Sequence, residues 1–178
     1  MGRKVLVISG TPRKGGNSDR LCEEFARGAR ESGNDVEVIR LREKKIGFCN
    51  ACYRCKDAGR CCIKDDVPEI IDKMEASDVI VLASPVYFYS VDAQMKALID
   101  RTVSRWLEIK GKVFYYIATS AEDTESVADC TIECMRGLAM CLEGSTEGGV
   151  ILGKGVYEVG EIEGKPAMAE AYEAGRSC

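Results

Sequence analysis

Residues 4–18, KVLVISGTPRKGGNS, decide the fold of this chain. An apolar run rich in β-branched residues stands directly before a glycine-rich loop, and a segment with helical periodicity follows the loop. A strand-like apolar run followed by a helical pattern recurs four more times, with the runs at 36–41, 79–83, 113–118 and 149–152. Five strands that are each followed by a helix imply a parallel sheet, because short crossovers leave few other arrangements. The sequence therefore predicts an α/β fold with a doubly wound, five-stranded parallel sheet and helices on both faces.

The composition predicts a cytoplasmic protein. The 178 residues carry a formal net charge of −4, which argues against nucleic acid or a membrane as a partner. No apolar run approaches the ~20 residues that a membrane helix needs, and no signal peptide precedes the first strand. Because no linker or repeat divides the chain, we expect residues 1–178 to form a single domain. Its one irregular region is an insertion at about 42–64, which is too long for an ordinary strand-to-helix loop.

Two residue counts indicate which chemistry is available. The chain has no histidine, which excludes imidazole bases, histidine-activated nucleophiles and histidine-ligated metals. It has ten cysteines, of which five lie between residues 49 and 62. Without an export signal, such a cluster indicates a metal or redox site rather than a disulfide framework. We therefore expect a cofactor to carry the chemistry, with no catalytic side chain.

The loop after the first strand has the composition of a phosphate site. It leaves the carboxyl end of the sheet, where the following helix offers unpaired N–H groups and a partial positive charge. Ser9, Thr11, Asn17 and Ser18 supply neutral donors, and Arg13 adds a charge. A loop that binds a nucleoside triphosphate has a lysine and then a serine or threonine after the glycine at position 15, and here Gly16 and Asn17 stand in those places. The dinucleotide-binding motif G-x-G-x-x-G is also absent. A single phosphate monoester fits this donor set best, although a plain glycine-rich turn with a helix cap remains an alternative.

A second stretch, SPVYFYSVDAQMKALIDR at residues 84–101, completes a resemblance. Together with SGTPRKGGNS, it resembles the flavodoxin-like family of NADPH-dependent FMN reductases, and the chain is most similar to the iron–sulfur flavoproteins within it. The resemblance implies a flavodoxin-like sheet with strand order 2-1-3-4-5 and an FMN cofactor. The implied FMN contacts are Ser9, Thr11, Arg13, Gly16, Asn17 and Ser18 on the phosphate, Pro85, Val86, Tyr87, Phe88 and Ser90 along the ring, and Thr119, Ser120 and Ala121 after the fourth strand. Without the first loop, Tyr87 and Phe88 would be interpreted as core residues.

The insertion contains CNACYRCKDAGRCC at residues 49–62. Three cysteines at intervals of three, with a fourth a few residues later, can hold one compact iron–sulfur cluster. Zinc fits less well, since a structural zinc site usually uses two separated C-x2-C pairs. The resemblance implies that Cys49, Cys52, Cys55 and Cys61 ligate a 4Fe–4S cluster. Cys62 is an alternative fourth ligand, and free thiols are an alternative to any cluster.

The leading hypothesis is an FMN-dependent oxidoreductase that passes electrons from a ferredoxin-type donor or NAD(P)H to a small acceptor, such as an oxygen species or a quinone. A 4Fe–4S cluster would serve as its one-electron relay. A clusterless NAD(P)H-dependent FMN or quinone reductase and a non-catalytic flavodoxin-like electron carrier are the alternatives. The resemblance also implies a homodimer or homotetramer.

Overall fold

The computed structural model describes residues 2–178, apart from the side chain of Glu125. Five strands form one sheet in the order β2-β1-β3-β4-β5, and every neighbouring pair is parallel. The strands are β1 (Lys4–Ser9), β2 (Asp35–Arg40), β3 (Val79–Pro85), β4 (Val113–Thr119) and β5 (Thr146–Gly153). This sheet confirms the predicted flavodoxin-like fold and its strand order.

Helices cover both faces of the sheet. They are α1 (Asn17–Glu31), α2 (Arg54–Ala58), α3 (Val67–Ala76), α4 (Ala93–Arg101), α5 (Asp129–Met140) and α6 (Pro166–Ser177). One core cluster lies beneath α1 and α6, and the other lies beneath α3, α4 and α5. All seven residues of β3 are buried, as expected for a central strand covered on both sides. The helices α1 and α6 touch so closely that a side chain at Gly175 would collide with the carbonyl oxygen of Phe25.

The helix that follows β3 is shorter than its apolar periodicity predicts. The pattern at Thr102, Val103 and Trp106 extends the helix, but α4 ends at Arg101 and two short 3₁₀ turns follow. The Thr102 hydroxyl donates to the carbonyl of Ile99, and side-chain bonds of this kind compete with continued helix formation. Val103 and Trp106 are consequently exposed instead of packing into the core.

The insertion between β2 and α3 is irregular, apart from a 3₁₀ turn at Leu41–Glu43 and the five-residue helix α2. The sequence did not predict α2, which buries none of its residues. Among the described residues, none of the helices is long and apolar enough to cross a membrane.

The strand order reverses at β1, since β2 lies on one side of it and β3 on the other. At such a point the loops after β1 and β3 leave the sheet in opposite directions and open a crevice at its carboxyl edge. The fold therefore places the glycine-rich loop and the loop after β3 on two sides of one crevice.

Candidate functional site

The crevice contains a cavity of about 120 Å³, lined by four loops. The lining residues are Thr11, Arg13, Asn17, Ser18, Pro85, Val86, Tyr87, Thr119, Ala121, Val156 and Tyr157. Nine of the fourteen cofactor contacts expected from the sequence are therefore in this lining. Ser9, Gly16, Phe88, Ser90 and Ser120 are outside it.

The N-terminus of α1 is left open toward this cavity. Its N-cap is Gly16, and no side-chain hydrogen bond within the described part of the chain caps the helix. Asn17 and Ser18 form the first turn of the helix and are buried. The backbone N–H groups of a first turn have no partner within the helix and attract an anion. The cavity thus combines an open helix terminus with the Arg13 side chain and the aliphatic hydroxyl groups of Thr11, Ser18 and Thr119.

Two hydroxyl groups meet across the cavity wall. The Oγ of Ser18 and the Oγ1 of Thr119 are 2.7 Å apart, which joins the start of α1 to the end of β4. The Ser120 hydroxyl turns away and donates to the carbonyl of Glu122 at 2.8 Å. Ser18 and Thr119 thus present a pair of buried hydroxyls to the cavity.

The loop after β5 closes the cavity, and sequence reasoning missed it. The amide of Asn17 holds this loop, since its Nδ2 donates to the carbonyl of Glu158 and its Oδ1 accepts from the backbone N–H of Gly160. The Arg13 guanidinium donates to the carbonyl of Tyr157 and lies 5.4 Å from the centre of its ring. The sequence did carry a signal for this loop, because Tyr157 is an aromatic residue in a glycine-rich stretch that follows β5.

A buried carboxylate supports the glycine-rich loop from below. Asp19 accepts the Ser9 hydroxyl at 2.6 Å and the backbone N–H of Gly15 at 3.1 Å. Arg42 donates to the same carboxylate at 2.7 Å and balances its charge. The Ser9 hydroxyl is therefore engaged in shaping the loop.

A second buried carboxylate, Asp92, lies against Gly10 at the start of the loop. Asp92 accepts the backbone N–H of Met95 as the N-cap of α4 and also accepts the Ser84 hydroxyl. Burial raises the pKa of its carboxyl group. A side chain at Gly10 would collide with this carboxylate, so the loop requires glycine there.

The turn after β3 exposes aromatic side chains beside the cavity mouth. Tyr87 and Ser90 form an antiparallel bridge, and Phe88 and Tyr89 between them both have positive φ. This conformation is costly for bulky residues and concentrates at functional sites. The Phe88 side chain is fully exposed, so the alternative interpretation of Tyr87 and Phe88 as core filling is wrong for Phe88.

The five clustered cysteines line one cavity of about 470 Å³ between the insertion and the end of α4. All five are free thiols. The Sγ atoms of Cys52 and Cys62 are 3.7 Å apart. A hydrogen bond from the backbone of Arg54 lowers the pKa of Cys52, and the neighbouring Cys62 lowers it further. Within the described residues, no three histidine, cysteine, aspartate or glutamate side chains converge closely enough to bind one metal ion.

The backbone of the cysteine segment is curled. Ala51 and Tyr53, on either side of Cys52, have φ values of 52° and 57°. Left-handed residues interspersed in a short segment turn successive N–H groups toward one side, which forms concave sites for anions, including iron–sulfur clusters. Cys52 thus lies between two residues whose φ suits such a site.

A buried ion pair holds both ends of the insertion. Arg101 donates to the two oxygens of Asp65 at 2.6 and 3.0 Å and to the carbonyl of Gly47 at 2.8 Å. Burial lowers the pKa of Arg101, but Asp65 and the nearby Cys61 thiol outweigh this effect and raise it. The Arg101 Nε is buried without a hydrogen-bond partner among the described residues. A permanent positive charge therefore stands at the wall of the cysteine cavity, beside Cys61.

Comparisons with known proteins bear on the family and the fold. Residues 3–141 match the sequence profile of a family described as NADPH-dependent FMN reductase. The chain is 35% identical to an iron–sulfur flavoprotein of Archaeoglobus fulgidus over 182 aligned positions, covering 96% of this chain and 81% of that protein.

A second relative and a solved structure add to these matches. An iron–sulfur flavoprotein of Methanocaldococcus jannaschii is 46% identical over 99 residues, which span 56% of this chain but only 51% of that protein. In fold, the chain is similar to an azoreductase from Bacillus anthracis, with a TM-score of 0.77 at 15% identity and complete coverage of both chains.

Proposed function

Because this chain belongs to the NADPH-dependent FMN reductase family, we propose that it is a flavin oxidoreductase with FMN in the crevice at the carboxyl edge of the sheet. The proposed site comprises the residues of the three loops that the sequence predicts as FMN contacts, together with Val156 and Tyr157. The observation that carries this proposal is the open N-terminus of α1, which faces a cavity containing Arg13 and the Ser18 and Thr119 hydroxyls. Such a terminus with neutral donors and one arginine suits a phosphate monoester.

The size of the cavity suggests which part of FMN would lie inside it. A volume of about 120 Å³ is far below the roughly 300–1,000 Å³ of a pocket that encloses a whole organic ligand. The phosphate end therefore fits within the cavity, and the flat ring would lie at its mouth beside the exposed Tyr87 and Phe88. We propose that Ser9 and Asn17 shape the site through Asp19 and the 156–162 loop, respectively.

When bound, FMN would supply electron transfer, and the protein would bind and orient it. The open terminus of α1 and Arg13 would hold the phosphate, and the positions of Pro85 and Val86 in the cavity wall would set where the ring lies. The loop that carries Tyr157 would limit access of water to the phosphate end.

We propose that the insertion holds a 4Fe–4S cluster. In support, five thiols line one cavity, residues of positive φ flank Cys52, and Arg101 places a positive charge with an orphaned Nε at the wall. We propose Cys49, Cys52, Cys55 and Cys61 as the ligands. Cys61 is preferred to Cys62 because it lies beside Arg101, whose positive charge would attract an anionic, cysteine-ligated cluster. The names of the relatives support a cluster in this group of proteins.

The partners are proposed from the family and from the relatives' names. A ferredoxin-type protein or NAD(P)H would be the electron donor, and a small molecule would be the acceptor. We further propose that residues 1–178 act as one domain, in the cytoplasm, as a homodimer or homotetramer. A clusterless NAD(P)H-dependent reductase is the second candidate, and the failure of three thiols to converge on one point within the described chain favours it.

Anaerobic purification separates the two candidates. The first predicts a flavin spectrum with a broad cluster shoulder and about four iron and four sulfide per chain after reconstitution. Cys61→Ser should lower the iron content, whereas Cys62→Ser and the distant control Cys141→Ser should retain it. Flavin bands without iron or sulfide, together with rapid bleaching by NADPH, would favour the clusterless reductase. Absence of bound flavin in every preparation would contradict both.

A further inference from the structure

Cys62 is the one cysteine of the insertion that the proposed cluster does not use. Its Sγ lies 3.7 Å from the Sγ of Cys52, and both residues are exposed. Within the described residues, no other pair of cysteine sulfurs makes a hydrogen-bonding contact. The contact therefore singles out one pair among the five clustered thiols.

The local fold brings these two residues together. Cys52 precedes α2 and Cys62 follows it, and residues in the left-handed conformation, Tyr53 and Gly59, reverse the chain at each end of this short helix. A disulfide requires a sulfur separation of about 2.05 Å, so the two atoms must approach by roughly 1.7 Å. Because α2 buries no residue, this approach displaces no core side chain.

We propose that Cys52 and Cys62 are a site of reversible disulfide formation, with a peroxide as the oxidant. One thiolate attacks the peroxide, which breaks the O–O bond, releases one water and leaves a sulfenic acid. The second thiolate displaces the hydroxyl group as another water and forms the S–S bond. Two thiols thus lose two protons and two electrons, and one hydrogen peroxide becomes two water molecules. A dithiol reductant then converts the disulfide back to two thiols by thiol–disulfide exchange and is itself oxidised to a disulfide.

The consequence of this disulfide for the cluster rests on the proposed function. Cys52 is a proposed cluster ligand, and a sulfur held in a disulfide cannot bind iron as a thiolate. Oxidation would therefore prevent cluster assembly until the bond is reduced. It would also keep Cys52 from irreversible oxidation while no cluster is present.

Peptide mapping of the full-length, cluster-free protein tests the disulfide directly. Lys45, Arg54, Lys56, Arg60 and Lys64 let trypsin separate the cysteines into the peptides 46–54, 55–56 and 61–64. After one equivalent of hydrogen peroxide and alkylation of the remaining thiols, we expect a cross-link between 46–54 and 61–64. Fragmentation of this product should assign it to Cys52 and Cys62.

Two variants provide controls. Cys62→Ser should lose the cross-link, whereas Cys130→Ser, which removes an exposed thiol on α5, should keep it. Cross-links spread equally over the other clustered cysteines would overturn the proposal, and so would peroxide-treated protein in which all ten thiols remain free.

Iron incorporation tests the consequence separately. Reduced protein should take up iron and sulfide, peroxide-treated protein should not, and a dithiol should restore uptake. Equal uptake by oxidised and reduced protein would overturn the blocking effect. If the cross-link forms but reduced protein takes up no iron, the disulfide stands and the proposed cluster fails.

Discussion

Replacing Arg101 with glutamine should lower the free energy of unfolding more than the same replacement at any exposed arginine. The Arg101 and Asp65 side chains are 1% and 6% exposed, and three hydrogen bonds join Arg101 to Asp65 and to the Gly47 carbonyl. Removing one partner of a buried ion pair costs about 3–5 kcal/mol, because the other charge stays buried. Asp65 keeps two backbone N–H donors, from Gly47 and Val67, so we expect a value near the lower limit.

Urea unfolding of the cluster-free protein at neutral pH measures this loss. A loss of about 3–5 kcal/mol corresponds to a melting temperature lower by about 6–20 °C in a domain of this size. Arg27→Gln is the matched control, because Arg27 also contacts two carboxylates but is half exposed, and we expect no measurable change there. The double variant Asp65→Asn/Arg101→Gln should lose less than the sum of the single variants.

Hydrogen exchange at two amides distinguishes global from local effects. The N–H groups of Gly47 and Val67 donate to Asp65 and should exchange faster in Arg101→Gln if the insertion detaches first. A variant with an unfolding free energy within about 1 kcal/mol of the parent and with unchanged exchange at both amides would refute this account of the ion pair.

Three further predictions concern pH, the loop and the ligand. Burial raises the pKa of Asp65, but hydrogen bonds from Arg101, Gly47 and Val67 outweigh this effect and lower the pKa. The stabilisation from the ionised carboxylate is therefore complete above about pH 4 and is lost as the pH falls further. The difference in unfolding free energy between the parent and Asp65→Asn should consequently narrow in acid denaturation. Gly10→Ala should cost about 1–3 kcal/mol in thermal unfolding, since the added methyl group meets Asp92, and an unchanged melting temperature would contradict the close approach. Arg13→Gln should weaken FMN binding about 10- to 100-fold by loss of a charge-assisted hydrogen bond, while Lys14→Gln, outside the cavity lining, should bind FMN as the parent does in a fluorescence titration.

The sheet could be predicted because its strands are continuous apolar runs. The apolar run at the start of residues 4–18 forms β1, and β3 and β4 each extend only one or two residues beyond their predicted ends at 83 and 118. Buried central strands have few other ways to satisfy their backbone and their side chains together. Boundaries set by single hydrogen bonds, such as the end of α4 beside Thr102, could not be read from periodicity.

Contacts between distant segments limited the prediction of the site. Composition indicated that Asn17 and Ser9 belong to the loop, but it could not show that their side chains bind Glu158 and Asp19. Val156 and Tyr157 enter the cavity only because β5 ends beside β4 at the same edge of the sheet. The Arg101–Asp65 pair spans 36 residues, and no local pattern relates its members.

The most direct test of the central claim is a comparison of FMN and riboflavin binding by fluorescence titration of the flavin-free protein. The two ligands share the ring and differ in the phosphate, which the open terminus of α1 and Arg13 are proposed to hold. We expect one FMN per chain and riboflavin binding weaker by about 100-fold or more, because at least two charge-assisted hydrogen bonds are lost. Equal affinity for both ligands, or no binding of FMN, would contradict the assignment of this loop as a phosphate site.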